Sequence, residues 1–258
     1  MIQSAHVIGM GRLGQHLADR LEALGMTVQR WNRSAHPSAK PLAAWTPDDA
    51  DAVFLAVADD ALQELATRMG NLLPASTWLI HHAGSVPRDV LGDRNRNAVL
   101  WPPMTFQSEV PPSWDVLPMA VDAVDPGFRQ WARALAPQSF DVSDLQRRHL
   151  HLGAVLLGNL TAAWIGTVEV HLRDMGLDPS LLSPLVKASV DRALHGQALD
   201  TVTGPAARND RNTLLAQQNL LHKANPDLAD LHAQLTHRIL SHHGHDPLPP
   251  FQAAPRQG

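Results

Sequence analysis

The stretch from Ala5 to Ser34 reads AHVIGMGRLGQHLADRLEALGMTVQRWNRS, and the order of elements in it decides the fold. A short apolar run, His6-Val7-Ile8, stops at a glycine cluster of the form G-x-G-x-x-G made by Gly9, Gly11 and Gly14. A helical pattern follows at once: Leu13, Leu17, Leu21 and Leu24 recur at three- and four-residue intervals, share one face, and run to Gly25, which can end the helix. A second strand-like run, Met26 to Trp31, comes next.

Strand, glycine turn, amphipathic helix and second strand form the opening of a dinucleotide-binding fold, in which each glycine has a physical task. Gly9 permits the tight turn out of the strand, Gly11 lets a pyrophosphate approach bare backbone, and Gly14 lets the helix lie close on the sheet. Met10, Arg12 and Leu13 complete the turn, so the whole of Gly9–Gly14 is assigned to the cofactor. The free N–H groups of the helix, with a macrodipole worth roughly half a positive charge, make an anion site that needs no basic side chain. In a chain with 16 glycines the pattern alone is weak, and its context gives it weight.

The end of the second strand selects the cofactor. NAD enzymes usually place Asp or Glu there to accept hydrogen bonds from the ribose hydroxyls. This chain has Trp31-Asn32-Arg33-Ser34 instead. No carboxylate repels a 2′-phosphate, Arg33 can fork onto one, and Asn32 and Ser34 can donate hydrogen bonds, so NADP is expected in preference to NAD. The competing reading makes Arg30 and Arg33 solvated loop charges.

With 258 residues the chain can bury about three quarters of its unfolded surface, enough for two domains without staples. The absence of cysteine excludes disulfides and thiolate nucleophiles and suits a reducing compartment. A formal charge of −4 and the lack of any Lys/Arg run argue against nucleic acid as a partner. The chain enters a strand by His6, and no apolar stretch approaches the roughly 20 residues that cross a bilayer, so a soluble, unexported, cytoplasmic protein without membrane contact is expected. Tyrosine is missing too, which removes the phenol that many hydride-transfer enzymes use as proton donor.

After a proline-containing link, Ala35 to Pro47, the run Ala52 to Val57 reads as a buried parallel strand. Asp59 and Asp60 are expected to cap a helix that carries Ala61, Leu62, Leu65 and Met69 inward. Ala56, Val57 and Ala58 should pass beside the cofactor, because loops at strand C-terminal ends form the crevice of an open α/β sheet. Strands are expected at Thr77–Ile80, Ala98–Trp101, near Met119–Val121 and at Ser139–Val142, with a helix carrying Phe128, Trp131 and Leu135 before the last. The sheet then has about seven strands, the last a candidate antiparallel edge.

From Ser143 the character changes. No strand-like alternation returns, and Asp144 to Met175 holds no proline, so one long helix ending at Gly176 is expected. Its apolar residues cover more than one face, and such a helix must be buried against other helices or a second subunit. Shorter helices are expected at Leu185–His195, Asp210–Ala224 and Pro226–Ser241, with Pro184 and Pro226 in first turns and Ser183 and Asn225 as caps. The segment His242 to Gly258 is rich in Pro, His and Gln and reads as a disordered tail. Its histidines are read as solvated, and no metal site is assigned.

Three places outside the glycine turn carry candidate chemistry. His82 and Ser85 follow the Thr77–Ile80 strand, where a nicotinamide would lie. His151, Val155 and Asn159 fall four apart on the long helix and share a stripe. With no tyrosine or cysteine, His82 and His151 are the candidate proton donors, with Asn159 orienting substrate; each histidine could equally be a satisfied core residue. Finally, Thr203-Gly204-Pro205 makes a bent approach to a helix with Pro205 near its first turn, and Arg208 one turn on could bind a substrate carboxylate or phosphate or merely pair with Asp210.

These features together resemble bacterial proteins that join a Rossmann-like NADP-binding domain to a C-terminal helical domain of unknown function, relatives of pyrroline-5-carboxylate reductase. The resemblance rests on Gly9–Gly14, Asn32-Arg33-Ser34, His82-Ala83-Gly84-Ser85, Pro102-Pro103-Met104-Thr105-Phe106, His151–Val155 with Asn159, and Thr203-Gly204-Pro205-Ala206 with Arg208 and Asp210. It implies an NADP-binding, oxidoreductase-like protein whose helical domain, of the 6-phosphogluconate-dehydrogenase type, mediates dimers. It supplies no substrate. The chain departs from the pattern at Trp101, where relatives often have His or Tyr, and at Asn209, where they have glycine. Val155 stands where related hydroxyacid dehydrogenases carry a lysine, so their lysine-assisted mechanism does not transfer.

The expectation is therefore an α/β Rossmann-type, doubly wound, mostly parallel sheet over 1–142, an all-α substrate and dimerisation domain over 143–241, and a tail over 242–258. The expected function is an NADP-dependent oxidoreductase for a small carbonyl, imine or hydroxyacid in an interdomain cleft. The alternative is a non-catalytic NADP(H)-binding sensor whose helices serve dimerisation.

Overall fold

The computed structural model describes residues 2–106 and 112–249. The chain divides into two compact units, Met1–Asn159 and Leu160–Gly258.

The first unit is built on an eight-stranded sheet: β1 (Ser4–Ile8), β2 (Thr27–Asn32), β3 (Lys40–Pro41), β4 (Ala52–Leu55), β5 (Trp78–His81), β6 (Asn97–Trp101), β7 (Met119–Ala123) and β8 (Ser139–Asp141). Their order in space is β3-β2-β1-β4-β5-β6-β7-β8, with every neighbouring pair parallel except β6 and β7. This is the Rossmann-type arrangement, and the strand order reverses direction at β1 and β4, where such sheets open their crevice.

The expected single antiparallel edge is corrected to a reversal one strand earlier. The link from β6 to β7 contains no helix among its described residues, so the chain turns back on itself. The helix α3 (Pro126–Leu135) then carries it across to β8 in parallel. The two-residue β3 inside the Ala35–Pro47 link adds the eighth strand.

Burial explains why the central strands read as unbroken apolar runs. Val7, Ile8, Val53, Phe54, Leu79 and Ile80 are inaccessible to solvent, and each contributes roughly 1.5–3 kcal/mol by leaving water. One face is covered by Leu17, Ala18 and Leu21 of α1 (Arg12–Ala23) and by Phe128 and Leu135 of α3. The other is covered by Leu62, Ala66 and Met69 of α2 (Asp59–Gly70). Asp59 and Asp60 do not cap α2 as expected: Ala58 holds the cap position without a side-chain bond, and the two carboxylates lie in the first turn, where they favour the dipole. By contrast Asp125 caps α3, accepting from the Phe128 amide at 2.7 Å.

The helix α4 (Asp144–Ala154) opens with a reciprocal cap between Ser143 and Gln146, passes through a π-helical turn at Val155–Asn159, and continues as α5 (Leu160–Asp174). It ends as expected at Gly176, whose φ is +74°. The expectation that no segment could span a membrane is corrected by this helix: over Asp144–Asp174 its 31 residues are long and apolar enough by length and composition. The expected burial is also absent within the chain, since Leu152, Leu156 and Leu160 are about half exposed and Leu157 is 81% exposed.

The second unit continues with α6 (Ser183–Leu194), α7 (Arg211–Ala224) and α8 (Pro226–His242). Asn225 caps α8, its Oδ1 accepting from the Leu228 amide at 3.0 Å, whereas Ser183 lies inside α6 and caps nothing. The expectation of a disordered stretch from His242 gives way, for residues up to 249, to ordered chain. His242 completes α8 and pairs with Asp200, Arg211 donates to the carbonyls of Asp246 and Pro247, and the His245 amide donates to the Leu240 carbonyl. Residues 250–258 lie outside the described residues.

Candidate functional site

The glycine turn has the geometry that its sequence requires. Gly9 has φ +97°, and its amide donates to the Trp31 carbonyl at 2.8 Å. A Cβ there would collide with the Ala56 carbonyl oxygen, and one on Gly14 would collide with the Gly9 carbonyl oxygen. Gly11 differs. It is the residue before α1, and a Cβ on it would meet nothing within 4 Å. The turn therefore packs tightly behind Gly9 and Gly14 and is open in front of Gly11.

Side chains hold this opening in shape. The Met10 amide donates to Asn32 Oδ1 at 3.0 Å, and Asn32 Nδ2 donates to the Ser34 carbonyl at 3.0 Å, which ties the end of β2 to the turn. Gln15 Nε2 donates to the Met10 carbonyl at 2.9 Å. The first turn of α1 carries no carboxylate, and Leu13 packs on the core below it. Arg12 reaches toward the Phe106 carbonyl at 3.5 Å. Arg33 is exposed and has no hydrogen bond or ion pair among the described residues. Arg30 is different: it is spent on Asp19 and Glu22 of α1, each at 2.7 Å. The segment Ala56-Val57-Ala58 runs beside the turn, the Ala56 amide donating to the Ile8 carbonyl at 2.8 Å.

The second group of predicted residues sits in the loop after β5. His82 is 8% exposed, stacks on Phe54, and shares a 2.7 Å hydrogen bond between Nδ1 and the Leu100 carbonyl. Since a carbonyl only accepts, Nδ1 carries the proton, and the buried Nε2 has no partner among the described residues. Desolvation pulls the His82 pKa down to about 4, so it is neutral near pH 7. In this geometry His82 presents Nε2 as an acceptor, and its expected role as proton donor gains no support from its surroundings. Ser85 donates to Asp59 Oδ2 at 2.5 Å, which links the loop after β5 to the first turn of α2.

His151 lies on the inner face of α4, edge-on to Trp101 with ring centroids 5.3 Å apart. A Cβ on Gly84 would strike the His151 ring and the Trp101 indole, so the loop and the helix touch through a glycine. The structure thus brings His82, Ser85 and His151 around one loop. It does not bring Asn159 to them. The π-turn accommodates an extra residue and breaks the four-residue stripe, and Asn159 is exposed with no hydrogen bond to these residues among those described.

Sequence reading missed Arg147. Its side chain is 0% exposed, and its Nη1 donates to the carbonyls of Ala83 at 2.9 Å and Gly84 at 2.7 Å. Nη2 pairs with Asp144 at 2.6 Å and lies 3.8 Å from Asp122. Burial lowers the Arg147 pKa against the opposing pull of Asp144 and Asp122, and the same burial raises that of Asp122. The available signal was its position, one helical turn before His151 on the same face.

In the helical unit, Gly204 has φ +114°, and the turn closes on itself: the Arg208 amide donates to Gly204, Asn209 to Ala206 and Asp210 to Pro205. The expectation of a helix with Pro205 near its first turn is corrected, since α7 starts only at Arg211, capped by Asp210. Arg208 is exposed and lies 3.4 Å from Asp210, the pairing its sequence context allowed. Thr203 and Pro205 line a cavity of about 290 Å³ with Trp164, His232 and Thr236.

Comparison with known proteins places part of this chain. Residues 118–239 match the family described as a domain of unknown function, DUF2520. No curated protein sequence matches. Among solved structures, a putative NADP oxidoreductase from Bacteroides fragilis is similar at 22% identity and TM-score 0.77, over 93% of this chain and 98% of that one. A protein from Thermotoga maritima has 18% identity and TM-score 0.74, over 94% and 100%. An imine reductase from Myxococcus stipitatus in complex with NADP+ has 16% identity and TM-score 0.61, over 95% and 96%. At these identities the likeness shows the fold, and the DUF2520 match begins within the sheet, at the residue before β7.

Proposed function

We propose that this protein binds NADP(H) at the Gly9–Gly14 turn and acts as an oxidoreductase on a small carbonyl, imine or hydroxyacid. The observation that carries the reading is the opening in front of Gly11, at a helix start with no carboxylate. Arg33, exposed and unpaired among the described residues at the end of β2, fits a 2′-phosphate, and no acidic residue stands beside it. The group that would bind supplies or accepts a hydride. The chain binds it and orients what lies beside it, and His151 at the Gly84 contact is the histidine left to hold or release a proton. Thr203 and Pro205 at the cavity of the helical unit, with Gly204 between them and Arg208 nearby, are proposed to recognise substrate.

Replacing Arg33 by Ala tests the choice of cofactor. A fluorescence titration should show NADPH affinity lowered roughly 10- to 100-fold, as expected when a charge-assisted hydrogen bond is lost, and NADH affinity almost unchanged. Equal losses for both would remove the 2′-phosphate from the argument.

One set of observations favours a second reading, a protein that binds NADP(H) without turnover. His82 is buried and neutral, the Ser85 hydroxyl is engaged by Asp59, and the chain has no tyrosine. A panel of carbonyls and imines separates the two readings, because an enzyme consumes NADPH with at least one and loses that activity in His151→Ala.

We also propose that the protein is a cytoplasmic homodimer whose second copy covers the exposed apolar residues of the π-turn, α5 and α6, among them Leu157, Leu160, Leu185 and Leu194. A lipid partner suits the continuous helix Asp144–Asp174 poorly, since its first third buries Arg147 and its last two turns carry Glu169, Arg173 and Asp174. Light scattering should give twice 28.1 kDa, and Leu157→Glu with Leu160→Glu should halve it. A wild-type monomer would leave the face without an occupant.

A further inference from the structure

A fully buried guanidinium is an expensive way to fasten a loop, because removing its charge from water costs several kcal/mol before any partner is gained. In Arg147 two of the hydrogen bonds go to neither carboxylate. They go from one nitrogen to two successive backbone carbonyls, those of Ala83 and Gly84.

The consequence follows from peptide geometry. No cis peptide bond occurs among the described residues, and in a planar trans peptide the C=O and the next residue's N–H point in opposite directions. If the carbonyls of Ala83 and Gly84 both face Arg147, the amides of Gly84 and Ser85 both face away from it. Neither amide donates to another group among the described residues, although Gly84 is buried. Other polar groups of the loop are engaged: the Ala83 amide donates to His81 Nδ1 at 3.1 Å, His82 Nδ1 donates to the Leu100 carbonyl, and the Ser85 hydroxyl donates to Asp59. Ser85 is exposed, so the cost of about 1–3 kcal/mol for a buried amide without an acceptor falls on Gly84, and it points to an acceptor that arrives with a ligand.

Position and side chains agree. The loop leaves the C-terminal end of β5, beside the end of β4, on the crevice edge of the sheet. Gly84 admits no side chain because His151 and Trp101 stand against it, so a ligand at these amides is next to the His151 imidazole. The unpartnered His82 Nε2 belongs to the same loop.

We propose that Arg147 is a positioning residue that turns the Gly84 and Ser85 amides into a two-donor site for an sp² oxygen, in the manner of an oxyanion hole. That oxygen belongs either to a substrate carbonyl or carboxylate or to the carboxamide of the cofactor. The inference rests on the NADP(H) reading for the role of the site, not for its existence.

The test uses the full chain labelled with ¹⁵N at glycine and serine, titrated with NADPH and separately with sodium acetate, alone and in the presence of NADP+. Gly84 and Ser85 are expected to shift together and saturably. A response to acetate assigns the oxygen to substrate, and a response to NADPH alone assigns it to the cofactor. If Gly11 responds to NADPH while Gly84 and Ser85 stay fixed in every titration, the two-donor site is overturned and the NADP(H) reading survives. If Gly11 stays fixed but acetate moves the pair, the reverse holds.

Arg147→Lys keeps a cation, but its single nitrogen cannot stand both at the two carbonyls, where Nη1 lies, and at Asp144, where Nη2 lies. The ligand that moves the pair should bind the variant about fivefold more weakly, the loss expected for one hydrogen bond. Unchanged affinity would overturn the positioning role. Should the variant fail to fold, the wild-type titrations still decide whether the amides bind an oxygen.

Discussion

Gly14→Ala is expected to destabilise the α/β unit by about 3 kcal/mol or more, whereas Gly11→Ala leaves stability unchanged and removes most dinucleotide affinity. The two glycines stand three residues apart in one motif, yet they face different surroundings. The position of a Cβ on Gly14 is already filled by the Gly9 carbonyl oxygen, with Ala56 Cβ at 3.2 Å behind it. The obstacle is backbone, so relief requires α1 to move off β1, which also uncovers Leu17 and Leu21. In a unit of this size such a loss lowers the melting temperature by roughly 10 °C. Gly11 has φ −71° and ψ −173°, a conformation any residue adopts, and a methyl group there enters open space. That space is where a pyrophosphate would approach, so Gly11→Ala should lower NADPH affinity about tenfold or more while melting within about a degree of wild type. Calorimetry and a fluorescence titration on both variants decide the matter. Equal melting losses would mean that the opening in front of Gly11 is not a ligand site.

The division between Gly9 and Gly14, which pack, and Gly11, which waits, was legible because a glycine pattern between a strand and a helix has few other meanings. The buried strands were legible for the same kind of reason: Val53-Phe54-Leu55 can only be interior. Asn209 offers a subtler case. The resemblance implies glycine at this position, and the φ of +57° at Asn209 lies in the left-handed region, which asparagine enters more readily than most residues with a Cβ.

Arg147 was illegible because a charge in the first turns of a helix ordinarily reads as solvated, and nothing local says that two loop carbonyls will meet it. The π-turn escaped because the apolar pattern of Val155–Asn159 fits a regular helix equally well, and with it went the expected alignment of Asn159. The environment of His82 also depends on distant chain, the Leu100 carbonyl and the Phe54 ring, so its residue type promised an acid that its burial forbids.

That burial has a consequence for stability in acid. His81 and His82 are adjacent; desolvation, with Arg147 nearby, pulls the first to about 3, and desolvation pulls the second to about 4. Both titrate near 6.5 in the unfolded chain. Above pH 6.5 they are neutral in both states, and their contribution to stability is complete. As pH falls from 6.5 toward 4, the unfolded chain takes up two protons that the folded chain refuses, so stability declines with pH, by an amount on the order of 5 kcal/mol across the window. Urea unfolding at pH 7 and pH 4.5 measures the decline. His82→Gln isolates its source, because the amide can still donate to the Leu100 carbonyl yet takes up no proton. The variant should show roughly half the wild-type dependence, a difference that acid titration of carboxylates, common to both proteins, does not produce. An identical decline in the two would mean that His82 is protonated in the folded protein, and it would then regain its place beside His151 as a proton donor.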